Sequence, residues 1–310
     1  MRTRTCLVAI GLLPLLAVAG AAAGPTGPEP GGGPSVAAGP RHPLRIAPDG
    51  RHILQADGRA FLYLADTAWA LFHRLTFEEA DRYLRNRAAK GFTVVQAVVL
   101  WDLDASDATN GVGAPLVGLD PRRPNEAYLA HVDRVVDRAA ELGLTVALLP
   151  TWGDKWHSRQ NEKGPKVFRD PETARDFARL VGRRYGPRSV IFVLGGDRNV
   201  ETPEDLAVTR AFAHGLKETA PQALLTYHPR GPGRSSDVLH GEPWLDFDMI
   251  QSSHTGRGID TAGNVEHDRA LVPKKPTLDG EARYEAIVVD FYDRGANPAL
   301  RFDDVDVRET

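Results

Sequence analysis

Two acidic residues in this sequence stand where a carboxylate needs a reason to be. Asp197 follows the apolar run and glycine pair of VIFVLGGDRN (190–199), and Glu281 closes KPTLDGE (275–281). Two carboxyl groups facing each other across a small gap can cleave a glycosidic bond. One, kept protonated, gives its proton to the departing oxygen; the other, ionised, attacks or stabilises the anomeric carbon. Gly195 and Gly196 would let a substrate approach the backbone closely. The competing readings are structural: Asp197 as a cap for the next turn, and Glu281 as an ion-pair partner of Arg283 or Arg230.

The other residues at the ends of the apolar runs fit the same chemistry. In chain order they are Asp66 and Trp69; Trp101; Trp152 and Trp156; Asn199; His228 and Arg230; Gln251 and His254; and Tyr284. Four of the chain's five tryptophans are in this set. Flat apolar faces beside hydrogen-bonding groups suit a sugar, whose C–H face stacks and whose hydroxyls need partners. The set is therefore expected to bind carbohydrate, although tryptophans can also simply seal a barrel mouth. Asp66 could instead cap its loop through Thr67.

Other chemistries find less support. His157, His228 and His254 show no HxH or HExxH spacing, so no metal is expected. The stretch DLDASDATNG (102–111) lacks the glycine and closing glutamate of a calcium loop. GxSxG is absent, as are GxGxxG and a Walker loop, so neither a serine hydrolase nor a nucleotide cofactor is indicated.

Seven apolar runs position these residues: AFLYLAD (60–66), FTVVQAVVL (92–100), LTVALLP (144–150), VIFVLGG (190–196), ALLTYHP (223–229), FDMIQSS (247–253) and KPTLDGE (275–281). They are continuous rather than alternating, which means strands buried on both faces, as in a parallel sheet wrapped by helices. Between them lie amphipathic stretches with clear starts. Thr76 with Glu79 forms a capping box; Asp170-Pro171 and Thr202-Pro203 place a cap before a proline. Leu129, Val132, Val135, Val136, Ala139 and Leu142 make one helical stripe, closed by Gly143 at C′. The rhythm predicts an α/β protein, a (β/α)8 TIM-type barrel, whose reactive groups collect at the C-terminal strand ends. No eighth strand is visible before the chain stops at DDVDVRET, which reads as the start of a helix.

The termini and charge set the context. Residues 1–23 combine a basic start, an apolar core and an Ala-rich end, and predict a signal peptide and a secreted protein, periplasmic or extracellular. Residues 24–43 are Gly/Pro-rich and predict a linker; residues 44–310 form the remaining domain. The sole cysteine, Cys6, lies in the predicted signal peptide, so the mature protein is expected to have no disulfide. A net charge of −3 argues against nucleic acid or an anionic membrane as partner, and the partner expected from the strand-end residues is a carbohydrate substrate.

The segments LADTAWALFHRL, PNEAYLAHVDRVVDRAAELGLTVALLPTWGDKW, VIFVLGGDRN, LTYHPRG, MIQSSHT and LDGEARYE resemble the apiosidase-like glycoside hydrolases, a group that includes glycoside hydrolase family 140. The likeness runs from about Leu44 to the C-terminus. It implies a (β/α)8 barrel with Asp197, in the GGDxN motif, as acid/base and Glu281, in the DGExxYE motif, as nucleophile. It further implies action on pectic side chains, such as apiose-linked units of rhamnogalacturonan II. Members of the group continue past FDDVDVR with a helix bearing a Tyr-Trp pair and a Gly-rich eighth strand. This chain is expected to lack that unit. A non-catalytic carbohydrate-binding relative, or an inactive fragment, is the alternative expectation.

Overall fold

A computed structural model describes residues 43–103, 108–156, 165–252, 254, 259–284 and 287. The predicted signal peptide, nearly all of the predicted linker and the chain end past residue 287 lie outside these, as do His157 and the middle of the 102–111 loop. The described residues belong to one compact unit, Val36–Thr310.

The chain enters through a hairpin of β1 (Arg45–Ile46) and β2 (Ile53–Leu54). Next come β3 (Ala65–Thr67), α1 (Leu71–Arg74), α2 (Phe77–Ala89), β4 (Val94–Leu100), α3 (Glu126–Glu141) and β5 (Thr145–Thr151). They are followed by α4 (Pro171–Tyr185), β6 (Val190–Gly195), α5 (Pro203–Thr219), β7 (Leu225–His228), β8 (Gly233–Arg234) and α6 (Ser236–Leu239). The last elements are β9 (Asp248–Gln251), α7 (Thr261–Ala270) and β10 (Thr277–Asp279). Strands β3 to β7 pair in sequence order as one parallel sheet. Strand β9 pairs in parallel with β10 and antiparallel with the short β8. The architecture is a partial TIM barrel with all seven predicted strands in place.

Alternation along the strands divides the core in two. Val94, Val98, Ala147, Leu149, Ile191 and Val193 face the barrel interior, where Phe247 and Met249 join them. Val95, Ala97, Val99, Val146, Leu148, Phe192 and Leu194 face the helices and meet the stripes of α3, α4 and α5. This two-sided burial is why the runs contain no polar alternation. The expected caps are present: Thr76 and Glu79 form their box, and Asp170 and Thr202 accept from Thr173 and Asp205. Gly143 ends α3 with φ +79°.

The first predicted strand is shorter than its apolar run. Only Ala65–Thr67 pairs with β4, because Phe61 is drawn into the N-terminal hairpin by a bond from its N–H to Ile53 O (2.8 Å). The backbone between is served by a side chain: Thr93 Oγ1 donates to Leu62 O (2.5 Å) and accepts from Leu64 N–H (2.9 Å). Helix α7 escaped the sequence pattern because its only buried residue is Asp268, so it carries no apolar stripe.

Candidate active site

Asp197 lies two residues beyond the C-terminal end of β6, in a turn with three successive positive φ values: Gly195 (+84°), Gly196 (+101°) and Asp197 (+53°). The glycines are explained by protein packing. A Cβ on Gly196 would lie 2.5 Å from Trp152 Cε3, and one on Gly195 would strike the His228 carbonyl and the Tyr227 ring. The expectation that they clear space for substrate therefore gives way: they let the turn fold against β7 and under Trp152. Asp197 tolerates the left-handed region better than most residues.

Glu281 lies two residues beyond β10 and is 4% exposed. Gln251 Nε2 donates to its Oε2 (2.8 Å), and the Tyr284 hydroxyl donates to its Oε1. His228 Nε2 is 3.2 Å from Oε2. Burial pushes the Glu281 carboxyl up, but the His228 and Tyr284 contacts and the nearby His254 outweigh it, and the group is held below the usual carboxylate value. Burial and the Glu281 charge push the Tyr284 phenol well up, so it remains a donor.

One carboxylate oxygen each of Asp197 and Glu281 and a ring nitrogen of His228 lie within 4.8 Å of one another. Fully buried, His228 touches both acidic residues. Its Nδ1 faces the Asp197 amide N–H over a long 3.5 Å, and its Nε2 faces Glu281. These partners favour the tautomer with the proton on Nε2. Three such groups could in principle hold a divalent cation. Binding through Nε2, however, would move the proton to Nδ1 and set it against the Asp197 N–H. A metal-bound histidine normally offers that second N–H to an acceptor, so ligation through Nε2 is disfavoured in this arrangement.

Aromatic rings wall this cluster. Trp152 packs on Trp69 (centroids 5.0 Å apart), Trp101 (5.2 Å) and His228 (5.8 Å). Trp69 Nε1 donates to Tyr284 Oη (3.1 Å), and His254 stacks on the Tyr284 ring at 4.8 Å. The fold thus brings Asp197, His228, Gln251, His254, Glu281, Tyr284, Trp69, Trp101 and Trp152 together.

Four other sequence candidates are placed differently. Trp156 is buried on the helix side, against Phe212 at 4.9 Å, because the 3₁₀ turn Gly153–Lys155 carries it away from the mouth. Asp66 accepts from Arg87 Nη1 (2.6 Å) and the Tyr83 hydroxyl (2.9 Å), both on α2, so it fastens that helix to β3. Asn199 Oδ1 accepts from the Arg230 backbone N–H (3.0 Å), which ties two loops together. The Arg230 side chain is exposed and forms no ion pair with Glu281. Sequence reasoning missed Gln96, a buried amide on β4 whose Nε2 donates to Gly280 O (2.6 Å), next to Glu281. Its only signal was one polar residue inside the apolar run VVQAVVL.

No curated protein matches the chain. Among solved structures, a glycoside hydrolase family 5 protein from Bacteroides vulgatus is 25% identical with a TM-score of 0.71, over 86% of this chain and 58% of that one. A second, titled a glycoside hydrolase, is 27% identical with a TM-score of 0.72, over 86% of this chain and 61% of its own. The endo-1,4-beta-mannanase of Rhizomucor miehei shares the fold alone, at 13% identity and a TM-score of 0.52, over 76% of this chain and 80% of that one. The chain thus spans about three fifths of the length of the first two. The family model for the apiosidase-like catalytic domain matches residues 47–310, which takes in every strand from β3 to β10 and both strand-end acids. On that match the chain belongs to the apiosidase-like family.

Proposed function

We propose that the protein is a secreted, retaining glycoside hydrolase that acts on plant-type, pectic side chains. The observation that carries this is the approach of the Asp197 and Glu281 carboxylates to within 4.8 Å. Retaining enzymes hold their two carboxyl groups about 5–5.5 Å apart, whereas inverting ones leave about 6.5–9.5 Å for a water. Glu281, held ionised by its contacts, attacks the anomeric carbon as Asp197 protonates the glycosidic oxygen and the leaving group departs. The resulting Glu281 glycosyl ester is then opened by water, whose proton goes to the Asp197 carboxylate. Both groups return to their starting states.

The surroundings support the same assignment. Trp69 and Trp101, half-buried against the buried Trp152, offer flat apolar faces beside the acids. Gln251, buried beside the acids, steadies the Glu281 carboxylate through its Nε2. The pectic substrate rests on the family, and export rests on the character of residues 1–23.

The test is hydrolysis of pectic oligosaccharides and aryl glycosides, apiosides included, by the wild type, Asp197→Asn and Glu281→Gln, with the first-formed anomer read by NMR. Release of the retained anomer by the wild type, lost in both variants, is expected. An inverted product would overturn the mechanism. Glycan binding without turnover would make the protein a carbohydrate-binding relative instead.

A further inference from the structure

We infer that Gln96 is a positioning residue for Glu281: its side-chain amide fixes the peptide from which the nucleophile projects. This rests on the proposed role of Glu281. On β4, Val94 and Val98 face the apolar barrel interior, and Gln96 sits between them on the same face, 1% exposed. Its Nε2 donates to Gly280 O (2.6 Å). A carbonyl can only accept, so this contact settles which end of the amide faces Gly280. The Oε1 is then left to accept from the Tyr63 hydroxyl (3.2 Å), a donor whose phenol burial keeps protonated.

Gly280 is held from two sides. Its N–H donates to Ile250 O (2.7 Å) on β9, and its carbonyl is held by Gln96 from β4. A side chain at Gly280 would collide with Met249. The carbonyl that Gln96 holds belongs to the same peptide plane as the Glu281 nitrogen, so turning that plane swings the Glu281 side chain. Among the described residues, β10 has a strand partner only in β9. Gln96 therefore ties the Glu281 peptide directly to the sheet that carries Asp197.

The experiment compares Gln96→Met, which keeps length but loses both hydrogen bonds, with Gln96→Glu, which regains a donor only when protonated. On a substrate the wild type cleaves, Gln96→Met should lose about 100-fold in kcat with KM little changed, the cost of a misplacement of ~1 Å. Gln96→Glu should recover toward wild type as pH falls, while Gln96→Met stays low. Unchanged kcat in a folded Gln96→Met protein overturns the inference, and so does an equal loss in both variants at every pH. If Glu281→Gln remains active, it is the reading of Glu281 that fails. The inference is then read from crystal structures of wild type and Gln96→Met. A Glu281 carboxylate shifted by about 1 Å supports it, and an unmoved one overturns it.

Discussion

Replacing Gly196 by alanine separates two accounts of the glycine pair. At φ +101° an L-residue is strained, at a cost of about 1–3 kcal/mol. The added methyl would also lie 2.5 Å from Trp152 Cε3 and 2.7 Å from Cδ2. Trp152 cannot easily retreat, because Trp69, Trp101 and His228 pack against it. Overpacking of this kind adds roughly 1–3 kcal/mol. The control is Gly91→Ala, which also has a left-handed φ (+83°) but nothing within 4 Å of the new methyl, so it carries only the backbone part. Urea denaturation of both variants should show Gly196→Ala less stable than Gly91→Ala by about 1–3 kcal/mol, the clash alone. Equal stabilities, with a raised KM in Gly196→Ala, would refute the packing argument and restore the idea that the glycine admits substrate.

Other outcomes follow from the placement of single residues. Trp156→Ala should cost about 3–5 kcal/mol of stability in a denaturant melt, as a buried core residue does. Trp69→Ala should mainly weaken glycan binding, measured by calorimetry. Asp66→Asn removes an ion pair on the outside of the barrel, so a loss of about 1 kcal/mol with kcat unchanged is expected. The depressed Glu281 ionisation has a definite sign. Its contribution to stability is present above the unfolded glutamate value of about 4.3 and is lost as pH falls through the lower, folded value. The stability difference between wild type and Glu281→Gln, followed by urea titration at successive pH values, should therefore shrink toward acid. The acid limb of the rate profile should likewise lie below the ordinary glutamate range.

The barrel was legible because burial on both faces leaves a plain mark, the unbroken apolar run. The helices were legible because Thr76, Asp170 and Thr202 cap them in recognisable patterns. Strand-end position was enough to pair Asp197 with Glu281, since it depends only on strand count. It was not enough for Trp156 or Asp66. Trp156 follows a strand and a single turn sends it into the helix-side core, whereas Asp66 lies within the short β3 and α2 captures it with an arginine and a tyrosine. Which way a residue past a strand end points is set by local backbone geometry, and periodicity does not record it. Gln96 was hidden for the opposite reason: its partner is a backbone carbonyl 184 residues away, and no spacing encodes such a contact.

The division of the strands into two hydrogen-bonded sets has a mechanical consequence. Asp197 follows β6 of the five-stranded sheet, whereas Glu281 follows β10 of the other. Between β7 and β9 no ladder runs; the link is made by Thr226 Oγ1 to Phe247 O (2.6 Å), Asp246 N–H to Leu225 O (2.9 Å) and Leu225 N–H to Asp246 Oδ2 (2.7 Å). The two acids are thus mounted on separate jaws that meet along a seam, and the gap between them is held by that seam together with the Gln96–Gly280 and His228–Glu281 contacts. On warming, the seam should loosen before either sheet melts. Catalysis would then fade below the unfolding temperature, and the amides of Leu225 and Asp246 would exchange with solvent ahead of those in β4 and β5.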